Sequence, residues 1–198
     1  MYLFFDTETT GLPKNWKAPV SEVDNWPRMV QLAFLVFFQS GENETPNGEP
    51  VPVIERNFII KPDGFTIPED VSRIHGITHE RAMDEGWALR EVLEEFHAQV
   101  IVNQTVVAHN VSFDRAIVGS EFIRAGMEDV LHGKDRVCTM MKTTKFCNLP
   151  GKYGPKWPKL SELHEKLFGH TFEEAHNASV DINATAKCFF ELKRRQLI

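Results

Sequence analysis

Asp6 and Glu8 follow directly on the apolar residues that open the N-terminal stretch "YLFFDTETTGLP". In extended chain, residues two apart point to the same side of a sheet, so both carboxylates face one way and can share a ligand. Two ionised acids held near apolar chain are costly to desolvate and repel each other. No Lys or Arg stands nearer in sequence than Lys14, which leaves solvent or a bound cation to compensate. The plainer alternative is a pair of loop acids, one of them bonding turn amides at Thr10 or Gly11.

Two further segments place acids at element boundaries. In "AHNVSFD" a short apolar run ends at Ala108, and Asp114 falls in the first turns of the helix that follows. An acid there also complements the helix dipole. In "HNASVDINAT", His176 precedes a helix that carries Asp181. Five residues of ideal helix turn through about 500°, which would aim the two side chains roughly 140° apart, so His176 must lie on the loop if both face one site. A histidine in such a loop can equally be a surface or capping residue. Together Asp6, Glu8, Asp114 and Asp181 offer hard oxygen ligands with no cysteine among them, a donor set suited to Mg²⁺ or Mn²⁺ rather than zinc.

These acids need a frame. Met1–Phe5 reads as a strand buried on both faces, with the acids at its exit. Met29–Gln39 and Arg56–Ile60 read as two antiparallel strands joined by the long, polar "SGENETPNGEPVP". Helical spacing then takes over at Trp87–Val102 through Leu89, Val92, Leu93, Phe96 and Val100. "TVVAHN" is a short buried strand, and Val111–Ala125 is a helix stopped by Gly126. A strand around Val137 and helices at about Leu160–Phe168 and Ala178–Arg194 complete an α/β class around a mixed sheet.

The 198 residues, 42% hydrophobic, favour one domain over residues 1–198 with a substantial core. A formal net charge of −6 excludes a chain coated in basic surface. The charge is uneven, however: residues 134–170 carry eight Lys or Arg against three acids, and "GKYGPKWPK" mixes cations with aromatics. That stretch reads either as a contact for a single strand or as a solvated loop around a buried Trp157. Cys138, Cys147 and Cys188 form no C-x-x-C pair and suit buried thiols in a reduced, cytoplasmic chain. No secretory signal is visible, and "MVQLAFLVFF" is too short to cross a bilayer as a helix.

In order and spacing, "DTETTGL", "IHGIT", "HNVSFD" and "HNASVD" resemble the motifs of the DEDDh (DnaQ-like) family of 3′-to-5′ exonucleases, the type of the DNA polymerase III epsilon proofreading subunit. The resemblance spans residues 5 to about 185. It implies a ribonuclease-H-like fold, a central mixed five-stranded sheet flanked by helices, and a site with two Mg²⁺ or Mn²⁺ ions. It further implies that Asp6 bridges both ions, that Glu8 and Asp181 bind the catalytic one, and that Asp114 supports the second, largely through water. His176 stands where the family has its general base.

The same resemblance implies a grip on a free 3′ end. Thr9 and Gly11 would bond the terminal sugar, Leu12 would wedge against the last base, and His75 and Phe113 would flank the terminal nucleotides. Asn110 belongs with these substrate-binding residues, although Phe113 also lies on the apolar helical face. The "PKNWKAPVSEVDNWPR" stretch resembles a stand-alone bacterial branch, and the closing "KRRQLI" offers no tether, so a polymerase would meet the chain through its surface. The expected activity is release of nucleoside 5′-monophosphates from single-stranded or frayed DNA. Trimming of RNA by the same acids is the alternative within the fold, and a non-catalytic nucleic-acid-binding partner of a polymerase is the alternative outside enzymes.

Overall fold

β1 (Tyr2–Thr9) occupies the middle of a five-stranded sheet with spatial order β3-β2-β1-β4-β5. β2 (Met29–Phe37) runs antiparallel to β1 and to β3 (Ile54–Ile59), while β4 (Thr105–Ala108) and β5 (Asp135–Cys138) run parallel to it. The structure is a computed structural model and describes residues 1–38, 43–45, 48–172 and 177–198. Helices α1 (Glu69–His75), α2 (His79–Glu85) and α3 (Leu89–Val102) precede β4. After β4 come α4 (Val111–Arg124), α5 (Thr139–Cys147), α6 (Leu160–Phe168) and α7 (Ala178–Arg194).

The alternation of β1 decides what covers each side. Leu3, Phe5, Thr7 and Thr9 are buried on one face, where Phe5 and Phe34 pack on Phe96 of α3 with ring centroids 5.4 and 5.3 Å apart, and Phe96 stacks on Phe122 of α4. Tyr2 and Phe4 point to the other face and meet Phe189 of α7 at 4.9 and 5.2 Å, edge to face. Asp6 and Glu8 continue that second face, so α7 is the helix that lies over them.

Strand β1 is longer than the apolar run that announces it. The expected strand stopped at Phe5 with the acids at its exit; in the structure both acids lie within the strand, because β2 pairs with β1 from Tyr2↔Phe37 to Thr9↔Met29. On the other edge β4 pairs only with Tyr2, Leu3 and Phe4. The second half of β1 is therefore open toward the start of α4.

Helices α1, α2 and α5 carry no clear periodic signal. α1 and α2 bury one residue each, His75 and Ala82. α5 buries Thr139, Thr143 and Cys147, a stripe at i, i+4 and i+8 without a large aliphatic side chain. All three cysteines are buried free thiols. Among the described residues no helix is long and apolar enough to cross a membrane.

α4 is fixed to the sheet by a buried acid. Glu121 is fully buried, accepts the Met29 N–H at 2.9 Å and pairs with Arg28 at 2.9 Å and Arg124 at 3.0 Å. The Arg124 guanidinium also donates to the carbonyls of Val23 and Trp26. This network ties together α4, the start of β2 and residues 13–28.

Candidate active site

Asp6 and Glu8 of β1 and Asp181 of α7 each offer a carboxylate oxygen within 4.8 Å of the others. They meet because Ala33, the residue paired with Asp6 on β2, is small, and because α7 begins over this end of the sheet. Two bonds set that start. The Asn177 side chain accepts the Ser179 N–H at 3.1 Å as an N-cap, and the side chain of Gln31, paired with Glu8, accepts the Ala178 N–H at 3.2 Å. Gln31 is itself buried and donates to Asn57 at 2.7 Å.

Asp114 approaches from the opposite face. The Thr7 N–H lacks a strand partner on the side where β4 has ended, and Asp114 takes it at 3.1 Å while also accepting the Thr7 hydroxyl at 2.8 Å. Its carboxylate thus stands in for the missing neighbour strand. Three of the four acids are brought together directly, and the fourth is held through Thr7, between Asp6 and Glu8.

The electrostatics describe a site built for added positive charge. Burial, reinforced by Asp114, Asp181 and Glu8, holds the Asp6 carboxyl well above the usual range. Burial and then repulsion from Asp181 and Asp114 push Glu8 up to about 8. Asp114 is pushed up to about 7, again chiefly by burial, against the opposing pull of its bonds from Thr7. Among the described residues no ion pair joins Asp6, Glu8 or Asp114 to Lys or Arg. A cluster of hard carboxylate oxygens whose charges repel one another fits a divalent cation.

Among the described residues, the others expected at the site lie in three places. Leu12 is 73% exposed just beyond a tight turn in which the Thr9 hydroxyl donates to the Gly11 carbonyl at 2.7 Å, with Gly11 at φ +147°. Asn110 holds a left-handed φ of 77° at the start of α4, and Phe113 is half-buried one turn in. His75 is 6% exposed, and its Nδ1 accepts the Ile77 N–H at 3.1 Å, which makes it a brace of the turn between α1 and α2. His176 lies outside the described residues.

His109 adds a link that the sequence did not announce: its ring bonds the Thr139 hydroxyl at 2.9 Å and the Pro158 carbonyl at 3.0 Å. The basic loop before α6 is thereby fastened beside the start of α4. In that loop Tyr153 is 91% and Trp157 64% exposed, so Trp157 is not the buried anchor of a solvated loop.

Gln31 did carry a signal, as the one polar side chain in "MVQLAFLVFF". Gln31→Leu is expected to cost about 1–3 kcal/mol, the price of leaving the buried Ala178 N–H without an acceptor. It would show as a lower urea midpoint together with faster amide exchange at Ala178–Asp181. Unchanged exchange in that turn would mean that α7 is positioned by other contacts.

DNA polymerase III PolC-type of Staphylococcus aureus is 26% identical over 192 residues, 96% of this chain and 11% of that protein. The Pediococcus pentosaceus protein of the same name is 25% identical over 193 residues, again 11% of its length. The chain therefore spans about a tenth of the curated relatives it matches. Among solved structures, Escherichia coli Exonuclease I in its zinc-bound complex with single-stranded DNA superposes with a TM-score of 0.73 at 23% identity, over 98% of this chain and 41% of that one. Its complex with a dA16 oligonucleotide gives 0.73 at 24% identity, over the same shares of the two chains. The mixed five-stranded sheet with its flanking helices is the ribonuclease-H-like fold. With Asp6, Glu8 and Asp181 within 4.8 Å of one another, and with the model of the Exonuclease (RNase_T) family matching residues 3–189, the chain belongs to the exonuclease family.

Proposed function

We propose that the protein is a 3′-to-5′ exonuclease that hydrolyses the terminal phosphodiester of single-stranded or frayed DNA with two Mg²⁺ or Mn²⁺ ions and releases nucleoside 5′-monophosphates. The observation that carries this reading is the meeting of Asp6, Glu8 and Asp181 within 4.8 Å at the open end of β1. Divalent ions bound there would supply Lewis-acid stabilisation of the phosphate and a more acidic attacking water.

The chain's own part is to hold and orient. Asp6, from the stretch of β1 paired on one side with β2, would hold both ions; Glu8 and Asp181 would hold the catalytic one, and Asp114, braced by Thr7, would support the second. His176 accepts the proton of the attacking water, a task suited to an imidazole with an unperturbed pKa of about 6.5. The new P–O bond forms as the bond to the 3′ oxygen breaks, and that oxygen leaves with a proton from solvent.

Thr9, Gly11 and Asn110 position the terminal sugar and phosphate, exposed Leu12 presses on the last base, and Phe113 flanks the end, with buried His75 acting through the turn it braces. The loop of Lys152, Tyr153, Lys156 and Trp157 holds the strand further back with cations and exposed rings. The similarity to a polymerase III of PolC type supports a role beside a polymerase in the cytoplasm, where frayed mismatches would be the substrate.

The test is digestion of 5′-labelled DNA as a single strand, a paired duplex and a duplex with a mismatched 3′ terminus, with matched RNA alongside. A shrinking ladder is expected, fastest for the single strand and slowest for the paired duplex, because unpairing a terminal base costs a few kcal/mol. Early release of the labelled 5′ nucleotide, or cutting of a circular strand, would overturn the assignment of direction. Faster digestion of RNA would move the substrate to ribonucleic acid.

A further inference from the structure

Residues 13–28 form an ordered excursion between β1 and β2 that the proposed chemistry does not use. Lys14 N–H donates to the Asn25 carbonyl at 3.1 Å, Asn15 N–H donates to the Asn25 side chain at 2.7 Å, and the Asn25 amide returns a bond to the Asn15 carbonyl at 2.9 Å. The far end is pinned by Trp26, which is buried and donates its indole N–H to the Pro19 carbonyl at 3.1 Å. The two tryptophans of the segment therefore have opposite fates. Trp26 anchors it, whereas Trp16, next to the clamped Asn15, is 57% exposed.

The Trp16 ring lies 5.7 Å from that of Phe113, tilted by 41°. Phe113 precedes Asp114 on the first turn of α4, so the indole is held against the helix that supplies the fourth acid. Lys14 and Lys17, both exposed, flank it in sequence. A rigid, solvent-facing aromatic between two cations matches a base stacked on a ring with its phosphates near ammonium groups.

We propose that Trp16 is a stacking ledge for an unpaired base of the substrate strand, and that the excursion exists to hold it there. The inference rests on the reading of the protein as a nuclease acting on single strands. The Trp16 ledge sets how tightly a strand end is held, and it favours a single strand over a duplex, whose bases inside the terminal pair are stacked on both faces and have none to offer.

The test uses the full chain, wild type and Trp16→Ala, on single strands carrying one abasic position at each of the four 3′-terminal nucleotides in turn. On intact strands Trp16→Ala is expected to raise KM about 10- to 100-fold. Trp16→Phe should recover much of it. The penalty should disappear when the abasic position is the one that occupies the ledge and persist at the others. Equal KM for wild type and Trp16→Ala on intact strands would overturn the ledge, as would a penalty indifferent to every abasic position. A wild-type protein that shortens no strand at all would instead count against the nuclease reading itself. Melting temperature is the control for folding, since an exposed ring with one aromatic neighbour should leave it within a few degrees.

Discussion

Asp6→Asn is expected to reduce turnover on single-stranded DNA by roughly a thousandfold or more and, in the absence of divalent metal, to make the protein more stable at neutral pH. The two effects share one cause. Asp6 is held among three other carboxylates in a desolvated place, which raises its proton affinity well above that of a free side chain. An amide of the same shape keeps the packing and loses both the repulsion and the charge that would bind metal. Chelation of the wild type should match the loss of turnover, and Mg²⁺ or Mn²⁺ should restore the wild type only. Activity persisting in excess EDTA would sink the metal-dependent reading. His176→Ala separates the base from the cage: it should lower turnover while Mn²⁺ affinity, read by calorimetry, stays near that of the wild type. Equal loss of metal affinity in the two variants would contradict that division.

Glu8→Gln is expected to gain stability over the wild type as pH rises from about 4.5 to about 8 in EDTA, and to lose that advantage when Mn²⁺ is added. The sign follows from linkage. Glu8 has an ordinary value of 4.5 and is pushed up to about 8 in the folded chain. Between those limits the native state binds more protons than the unfolded one, so its contribution is full below pH 4.5 and is lost as pH climbs through 8. Asp114, pushed up to about 7, acts in the same sense. Burial lowers His75 and His109, which act in the opposite sense near their ordinary value of 6.5. For that reason the informative quantity is the difference between variant and wild type.

A tenfold change in proton affinity is worth about 1.4 kcal/mol. Solvent screening discounts a partly exposed carboxylate, which leaves a difference on the order of 2–3 kcal/mol at pH 8.5, or roughly 4–12 °C in Tm. Urea midpoints for both proteins at pH 5, 7 and 8.5 would measure it. A difference that is flat with pH, or that shrinks as pH rises, would mean that the cluster is compensated within the chain.

The local elements and the order of the acids were legible in the sequence because both depend on short-range pattern. Alternation put Asp6 and Glu8 on one face before any fold was known, and helical spacing marked α3, α4, α6 and α7 almost to their ends. A clear apolar period was the condition, which is why α1, α2 and α5, with small or polar buried faces, gave no signal.

What the sequence could not settle was set by partners distant in the chain. The acids fall inside β1 because β2 continues to pair with it, and Asp114 reaches Thr7 because β4 stops early. Gln31 holds the first turn of α7 across 147 residues of sequence, and the exposure of Trp16 against the burial of Trp26 depends on which of them the amides and α4 enclose. Spacing along a strand or helix is fixed by backbone geometry that each residue carries with it. Where a strand loses its neighbour, and which side chain fills the vacancy, is decided only when the whole sheet is assembled.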